Sequence, residues 1–318
     1  MHAELLTKLK ALGEPTRLRI VTLLLRGELT VSEIMQVLGQ SQPRVSRHLK
    51  LLADAGLCER YPEGGWVFYR LARSRVGERL AALLEEMARS DDPEIARDLA
   101  RLNEVRRLRA QTAQKYFEVA AEQWAKIRGL HFSEEAVEAA MLKAAGDRGF
   151  RLHLDVGTGT GRMLEIFAER AEDGMGVDLS REMLTVARSK MSEAGLVNRL
   201  VRQADATALP LEPGAADLIT VHQVLHYLDT PERAIAEWAR VLAPGGLLLL
   251  ADFETHGFEE FASEYHHAHL GFARGELKNW LEAAGLTVRS LEPLVPAKRE
   301  DGLTVLICVA EKPAGKPS

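Results

Sequence analysis

Apolar positions in the first 75 residues recur at helical spacing between clear stop signals. Pro15 opens a predicted helix over Thr16–Leu25 that stops at Gly27. Thr30-Val31-Ser32-Glu33 has the spacing of a capping box, in which a hydroxyl and a carboxylate satisfy free backbone N–H groups reciprocally; the helix it starts ends at Gly39. Ser41 is expected to cap a further helix, Gln42–Ala55, closed by Gly56. On that helix Val45, Leu49 and Leu52 fall on one face, while Gln42, Arg44, Arg47, His48 and Lys50 lie largely off it. Cys58–Leu71 carries Trp66 and Phe68 beside a Glu63-Gly64-Gly65 turn and reads as a hairpin. Three helices and a hairpin predict a winged helix-turn-helix domain over residues 1–75, mostly α with a β wing.

The pattern then changes twice. Residues 76–128 are rich in Ala, Glu, Arg and Leu, with a break at Ser90-Asp91-Asp92-Pro93, and read as a helical connector. Leu80, Leu83, Leu84 and Met87 form a possible dimerisation face; Tyr116, Phe117, Trp124 and Arg128 fit core packing or a lid over a ligand. Residues 129–318 form the third predicted domain, where from Arg151 short apolar runs alternate with amphipathic helices. Strands fall at Leu152–Val156, Gly174–Val177, Arg199–Gln203, Ala216–Thr220 and Leu247–Ala251, a parallel α/β sheet of Rossmann-like type. Thr287–Pro293 and Thr304–Ala310 add a closing, hairpin-like pair.

The first of these strands runs into Asp155-Val156-Gly157-Thr158-Gly159-Thr160-Gly161, where glycine allows a tight turn and close approach of backbone N–H groups to a ligand. Asp178 ends the second strand, 17 residues after the last glycine, the place where a carboxylate accepts both ribose hydroxyls. A dinucleotide pattern would need Gly at position 162, and the chain has Arg162; no phosphate-binding G-x-x-x-x-G-K-[ST] loop is present. A nucleoside without a pyrophosphate is the ligand these residues predict.

Composition narrows the class. With 46% hydrophobic and 27% charged residues the chain is globular, and it has no apolar run of bilayer length and no signal-peptide pattern at Met1-His2-Ala3-Glu4. Two cysteines, Cys58 and Cys308, make neither a disulfide framework nor a Cys-rich metal site, so a cytoplasmic location is expected. The net charge of -5 hides an asymmetry: residues 1–75 hold 12 Lys and Arg against 7 Asp and Glu, leaving 29 against 39 beyond them. A basic end on an acidic chain suits a polyanionic partner. Major-groove docking of Gln42–Lys50 would bring Gln42, Arg44, Ser46, Arg47, His48 and Lys50 to double-stranded DNA, with the Gly64-Gly65 tip on the neighbouring backbone.

Two resemblances sharpen these readings. Through LGEPTRLRIVTLLLRGELTVSEI, SQPRVSRHLKLLADAGL and GGWVFYRL, the first segment resembles the ArsR (arsenic-repressor) family of dimeric winged-helix regulators, which implies operator DNA and a homodimer. Metal-sensing members carry paired cysteines where this chain has Thr30-Val31-Ser32, so the resemblance does not extend to soft-metal sensing. Through LDVGTGTGR, GVDLSREML, QADATALPL and ADLITVHQVLHYLDTPERAIAEWARVLAPGGLLLLADF, with YFEVAAEQW upstream, the remainder is similar to class I S-adenosylmethionine (SAM)-dependent methyltransferases of the small-molecule branch. That resemblance implies SAM as cofactor and S-adenosylhomocysteine (SAH) as product. It sets Asp155, Gly157, Thr158, Gly159 and Gly161 around the methionine moiety, Asp178 with Leu179 at the ribose, and Asp205 with Ala206 at adenine, where Met183 packs on the ring. His222 falls beside this cofactor set.

A small-molecule acceptor O–H or N–H can also need a base. Strand ends on the carboxyl side favour His222, His226 and Asp252 over His266, His267 and His269. His266 and His269 lack a completing carboxylate set, and no metal site is assigned. The expected function is a DNA-binding transcription regulator whose methyltransferase domain methylates a small molecule, senses SAM or SAH, or does both. The alternative is an ordinary small-molecule methyltransferase whose winged helix only dimerises it, although dimerisation does not require Arg44, Arg47 and Lys50. A DNA methyltransferase is disfavoured because His222-Gln223-Val224-Leu225 stands where a (D/N/S)-P-P-(Y/F) motif is needed and no Pro-Cys is present. Arsenite methylation is disfavoured by the shortage of thiolates.

Overall fold

The computed structural model describes residues 2–63, 66–72, 82–84, 86, 92–128, 133–259, 261, 267–295 and 302–314. The Gly64-Gly65 tip, Leu80, Met87 and His266, and the side chains of Tyr116, Phe117, Trp124 and Arg128, lie outside the described residues. The chain divides into two compact units, Met1–Thr112 with Ser192–Val197, and Ala113–Met191 with Asn198–Ser318.

In the first unit the order is α1 (His2–Leu12), α2 (Pro15–Leu24), β1 (Leu29–Thr30), α3 (Val31–Leu38), α4 (Gln42–Asp54), β2 (Cys58–Glu63) and β3 (Trp66–Leu71), with the strands ordered β1-β3-β2. The Thr30–Glu33 capping box forms, and Gly39 takes the left-handed conformation that ends α3. Ser41 occupies the N-cap of α4, but its side chain makes no capping hydrogen bond. Pro43 at the second helical position removes one of the two N–H groups such a cap serves. Ile20, Ile34, Val45, Leu49 and Leu52 are fully buried in one core. Leu102 and Val105 join that core from the helix Pro93–Arg128, so the compact unit extends past residue 75. A bidentate ion pair from Arg19 to the buried Asp98 (2.6 and 2.7 Å) fixes the same helix face. Within the expected dimerisation face, Leu84 is buried in this core, whereas Leu83 is exposed.

The second unit is a seven-stranded sheet ordered β6-β5-β4-β7-β8-β10-β9, comprising β4 (Phe150–Val156), β5 (Ala171–Asp178), β6 (Arg199–Gln203), β7 (Ala216–His222), β8 (Leu242–Phe253), β9 (Thr287–Leu294) and β10 (Val305–Glu311). The first five are parallel to one another; β10 pairs antiparallel with both β8 and β9, as expected for a closing pair. Alternation along β8 sends Leu248 and Leu250 into a core with Ile235, Trp238, Leu277 and Leu281, and Leu247, Leu249 and Ala251 into another with Val137, Met141 and Phe167. A sheet covered on both faces leaves its strand ends for chemistry. Among the described residues, no helix is long and apolar enough to cross a membrane.

Candidate functional site

Because β6, β5, β4, β7 and β8 run in one direction, their carboxyl ends line a single edge, and the residues there or just beyond are Asp205, Asp178, Gly157, His222 and Asp252. Strand order reverses between β4 and β7, the place where open α/β sheets bind ligands. Gly157 sits there with φ +67°, and a Cβ on it would lie 2.2 Å from Val224 Cγ2, so only glycine fits. Gly159 (φ +52°) has open space where its side chain would be, and Gly161 (φ +83°) is the N-cap of the helix Arg162–Ile166.

Asp178 braces this loop. Its Oδ2 accepts the Gly159 N–H at 2.8 Å and its Oδ1 accepts the Ser180 N–H at 2.8 Å, while the Thr158 N–H donates to the Val177 carbonyl at 2.9 Å. Arg162, which breaks the dinucleotide pattern, forms a bidentate ion pair with Glu138 (2.8 and 2.7 Å) and bonds Glu165 at 2.9 Å. It ties the first turn after the loop to the helix Glu134–Ala145. Beneath the loop Asp155 is buried, and its carboxyl is pushed up to about 7 by that burial; the Thr158 and Thr220 hydroxyls pull it down and the Asp178 charge pushes it up. Asp155 Oδ2 and Thr158 Oγ1 are both buried beneath the loop.

Further along the edge, Asp205 is exposed and accepts both the N–H and hydroxyl of Thr207 (2.8 and 2.7 Å), and the Ala206 carbonyl accepts Trp238 Nε1–H at 3.0 Å. Leu179 is 62% exposed and Met183 half-buried, so apolar surface flanks the end of β5.

The candidate bases are unlike one another. Asp252 is buried, and its carboxylate accepts His226 Nδ1–H (2.7 Å), Phe253 N–H (2.8 Å) and Leu225 N–H (2.8 Å), which pins the short 3₁₀ turn Leu225–Tyr227 to the end of β8. Burial alone would raise its pKa, but the His226 charge and hydrogen bond with these N–H groups hold it below the usual carboxylate value. His226 is itself buried and stacks on His267, ring centroids 4.0 Å apart. Burial, with His226 alongside, drops His267 to about 3, and His269 Nε2 lies 3.0 Å from the Leu228 carbonyl. His222 Nε2 is buried without a partner, and burial lowers the pKa of its ring.

Four residues escaped the sequence reading. Gln223 holds φ +57°, alone among described non-glycine residues, and its buried Nε2 lacks a partner; sparsely populated backbone of this kind gathers at functional sites. Thr220 donates its hydroxyl to Asp155 across the central strands, His153 Nε2 meets the same hydroxyl, and Gly176 clears space for Thr158, whose Cβ would otherwise stand 2.7 Å from a side chain there. Strained backbone and lateral register leave no signal in a single sequence.

On α4, Gln42, Arg44, Arg47 and Lys50 are exposed and Ser46 and His48 half-buried, opposite the buried Val45, Leu49 and Leu52. Among the described residues Arg44, Arg47 and Lys50 enter no ion pair. Arg17, Pro43, Arg44, Arg47, His48 and Leu51 line a cleft on this face. His48 Nδ1 is 3.5 Å from Glu14, whose carboxylate caps α2 by accepting the Arg17 N–H at 2.9 Å.

Comparison with known proteins separates the same two parts. Residues 14–60 match the family described as bacterial regulatory protein, arsR family, and residues 154–250 match a methyltransferase domain. The chain is 37% identical over 126 residues to a demethylmenaquinone methyltransferase of Thermus thermophilus, covering 39% of this chain and 54% of that protein. It is 35% identical over 167 residues to a malonyl-[acyl-carrier protein] O-methyltransferase of Geobacter sulfurreducens, covering 48% and 61%. An uncharacterised methyltransferase of Bacillus subtilis, YcgJ, is 34% identical over 121 residues, with coverages of 38% and 48%. The chain thus spans about half the length of these relatives. In fold it is similar to the [4+2]-cyclase SpnF (TM-score 0.52, 20% identity, 63% of this chain and 95% of that one). A putative methyltransferase of Bacillus halodurans has TM-score 0.50 at 20% identity, with coverages of 56% and 99%.

Proposed function

We propose, from the premise that this chain joins an ArsR-family helix-turn-helix to a methyltransferase domain, that it is a cytoplasmic DNA-binding transcription regulator. Its second unit binds SAM and transfers the methyl group to a small-molecule acceptor. The observation that carries the cofactor reading is the brace between Asp178 and the Gly159 N–H, beside open space at Gly159 and at the reversal of strand order.

The residues fit the group. Asp155 and Thr158 set polar groups beneath the loop for an amino-acid moiety, Gly159 leaves open space, and the loop Gly157–Gly161 brings backbone close. Asp178 would hold the ribose; Asp205, Ala206, Leu179 and Met183 would bound the base, with His222 beside the reacting end. When bound, SAM supplies a methyl group on a positively charged sulfur. The chain's part is to place an acceptor in line with it, an effect worth up to roughly 7–11 kcal/mol of barrier in well-oriented systems. Val224 and the Asp252-pinned turn wall that end of the sheet. His222 and His226 are the groups this reading assigns to take an acceptor proton, and Asp252 holds His226 in one orientation through Nδ1.

For the first unit, α4 is the helix that would lie in a major groove. The reading implies a homodimer because one recognition helix covers a single half-site. Gln42, Arg44, Ser46, Arg47, His48 and Lys50 would face bases and phosphates. A titration of the full chain on the DNA upstream of its own gene, at fixed salt and with no ligand, SAM or SAH, tests the assignment. Arg44→Ala is expected to weaken that binding by about tenfold, within the range for one base or phosphate contact, and to leave SAH affinity unchanged. Equal DNA binding by the wild type and the variant would remove α4 from the interface, and lost SAH binding would mean the two functions are assigned to the wrong units.

A further inference from the structure

We propose that the cleft between α2 and α4 seats one backbone phosphate of the duplex, with Arg17 of α2 acting beside Arg44 and Arg47. Base reading on α4 then falls to the neighbouring row Gln42, Ser46 and Lys50. The inference rests on the reading of α4 as the DNA-contacting helix and adds to it a residue from another helix.

The two rows follow from helical spacing. Arg44, Arg47, His48 and Leu51 share the flank of α4 that meets Arg17 across a cleft of about 550 Å³. Gln42, Ser46 and Lys50, four apart, run along the next flank, and Val45, Leu49 and Leu52 fill the buried one. A helix lying in a major groove has base edges ahead of it and sugar–phosphate backbone at its side. One flank therefore meets bases while the other meets backbone.

The chemistry of the cleft assigns it to backbone. Arg17 Nε donates to the Ala11 carbonyl and Nη2 to the Lys10 carbonyl at 3.4 Å, which fixes the guanidinium at the corner between α1 and α2. A guanidinium has five N–H donors, and these bonds engage two. Among the described residues Arg17, like Arg44 and Arg47, enters no ion pair. The Glu14 carboxylate beside them is engaged within the fold: it accepts the Arg17 backbone N–H at 2.9 Å and lies 3.5 Å from His48 Nδ1. Three guanidiniums thus give the cleft a positive surplus, and their planar forks match phosphate oxygens. Pro43 and Leu51, which is 42% exposed, add an apolar wall. A phosphodiester carries deoxyribose on both sides of its charge and uses both features, whereas a small inorganic anion uses the guanidiniums alone.

The test is a titration of the full chain on two duplexes of equal length, the one upstream of its own gene and an unrelated one, at several chloride concentrations. Arg17→Gln should weaken binding to both duplexes by the same factor, about tenfold near 0.1 M salt, and lower the slope of log K against log salt by about one. Arg17→Lys keeps the charge and should keep the slope. Gln42→Ala should instead weaken the upstream duplex alone, by about tenfold, with the slope unchanged. A mere brace between α1 and α2 would lower the melting temperature and the affinity of Arg17→Gln and leave its slope in place. That unmoved slope, a loss in Arg17→Gln confined to the upstream duplex, or an equal loss on both duplexes with Gln42→Ala overturns the inference. Exchanging chloride for inorganic phosphate at equal ionic strength should affect wild type and Arg17→Gln alike; weakening in the wild type alone would make the cleft a free-anion site and overturn it too. If the wild type binds neither duplex at low salt, the DNA reading itself fails and takes this inference with it.

Discussion

Asp252→Ala should lower the unfolding free energy of the second unit by about 3–5 kcal/mol, because it strands several buried hydrogen-bond donors, each costing about 1–3 kcal/mol when left without an acceptor. The carboxylate is 1% exposed and accepts from four donors, the ring and backbone N–H of His226 and the N–H groups of Leu225 and Phe253. Alanine leaves all four in a buried space with no acceptor. Asn keeps the shape but turns an N–H₂ towards one of those donors, so Asp252→Asn should cost less, about 1–3 kcal/mol. Urea unfolding of the full chain measures both, and a change below 1 kcal/mol for the alanine variant would show that the turn is held by other means. Since the folded-state pKa of Asp252 is depressed, its contribution is present above the unfolded carboxylate pKa and is lost as the solution is acidified through the folded one. With its oxygens occupied by N–H donors, Asp252 serves here as a positioning residue for His226.

The second large effect falls on the cofactor. Asp178→Asn should raise the dissociation constants for SAM and SAH by about tenfold to a hundredfold, equivalent to about 1–3 kcal/mol. The two carboxylate oxygens accept the N–H groups of Gly159 and Ser180, at 2.8 Å each. An amide must present N–H₂ to one of them, loosening either the glycine loop or the start of the helix Arg181–Glu193. It also withdraws an acceptor from the ribose hydroxyls that the carboxylate is proposed to hold. Calorimetry at one pH measures the constants, and unchanged values would move the pocket away from β5.

These predictions draw unequally on sequence and structure. Asp178 was legible because it follows a short apolar run at a fixed distance from a glycine loop. Asp252 was legible as a strand-end carboxylate, but its donors were not: His226 and Leu225 come from a turn more than 20 residues earlier in the chain. The eighth strand shows the same divide. Its Leu247–Ala251 centre reads as a strand; the observed strand runs from Leu242, because Leu242 pairs with Ala216 of β7 and Lys312, just past β10, exchanges backbone hydrogen bonds with Gly245 and Gly246. Ser41 had the right identity and position for a cap and makes no capping bond, since the neighbouring proline offers no N–H.

What the sequence determined by itself is what local chemistry decides. Side-chain periodicity, caps and glycine placement set the winged helix, the βα alternation, the loop Gly157–Gly161 and the split of α4 into a buried stripe and an exposed basic face. The tertiary structure alone decided which strands lie side by side and in what register. That register puts Gly176, Asp155 and Thr220 in one row, brings His153 to the same face, and presses Val224 onto Gly157. Each such meeting joins residues separated by some 20 to 70 positions. Local periodicity carries no information about lateral neighbours, which are fixed only when the sheet buries both its faces.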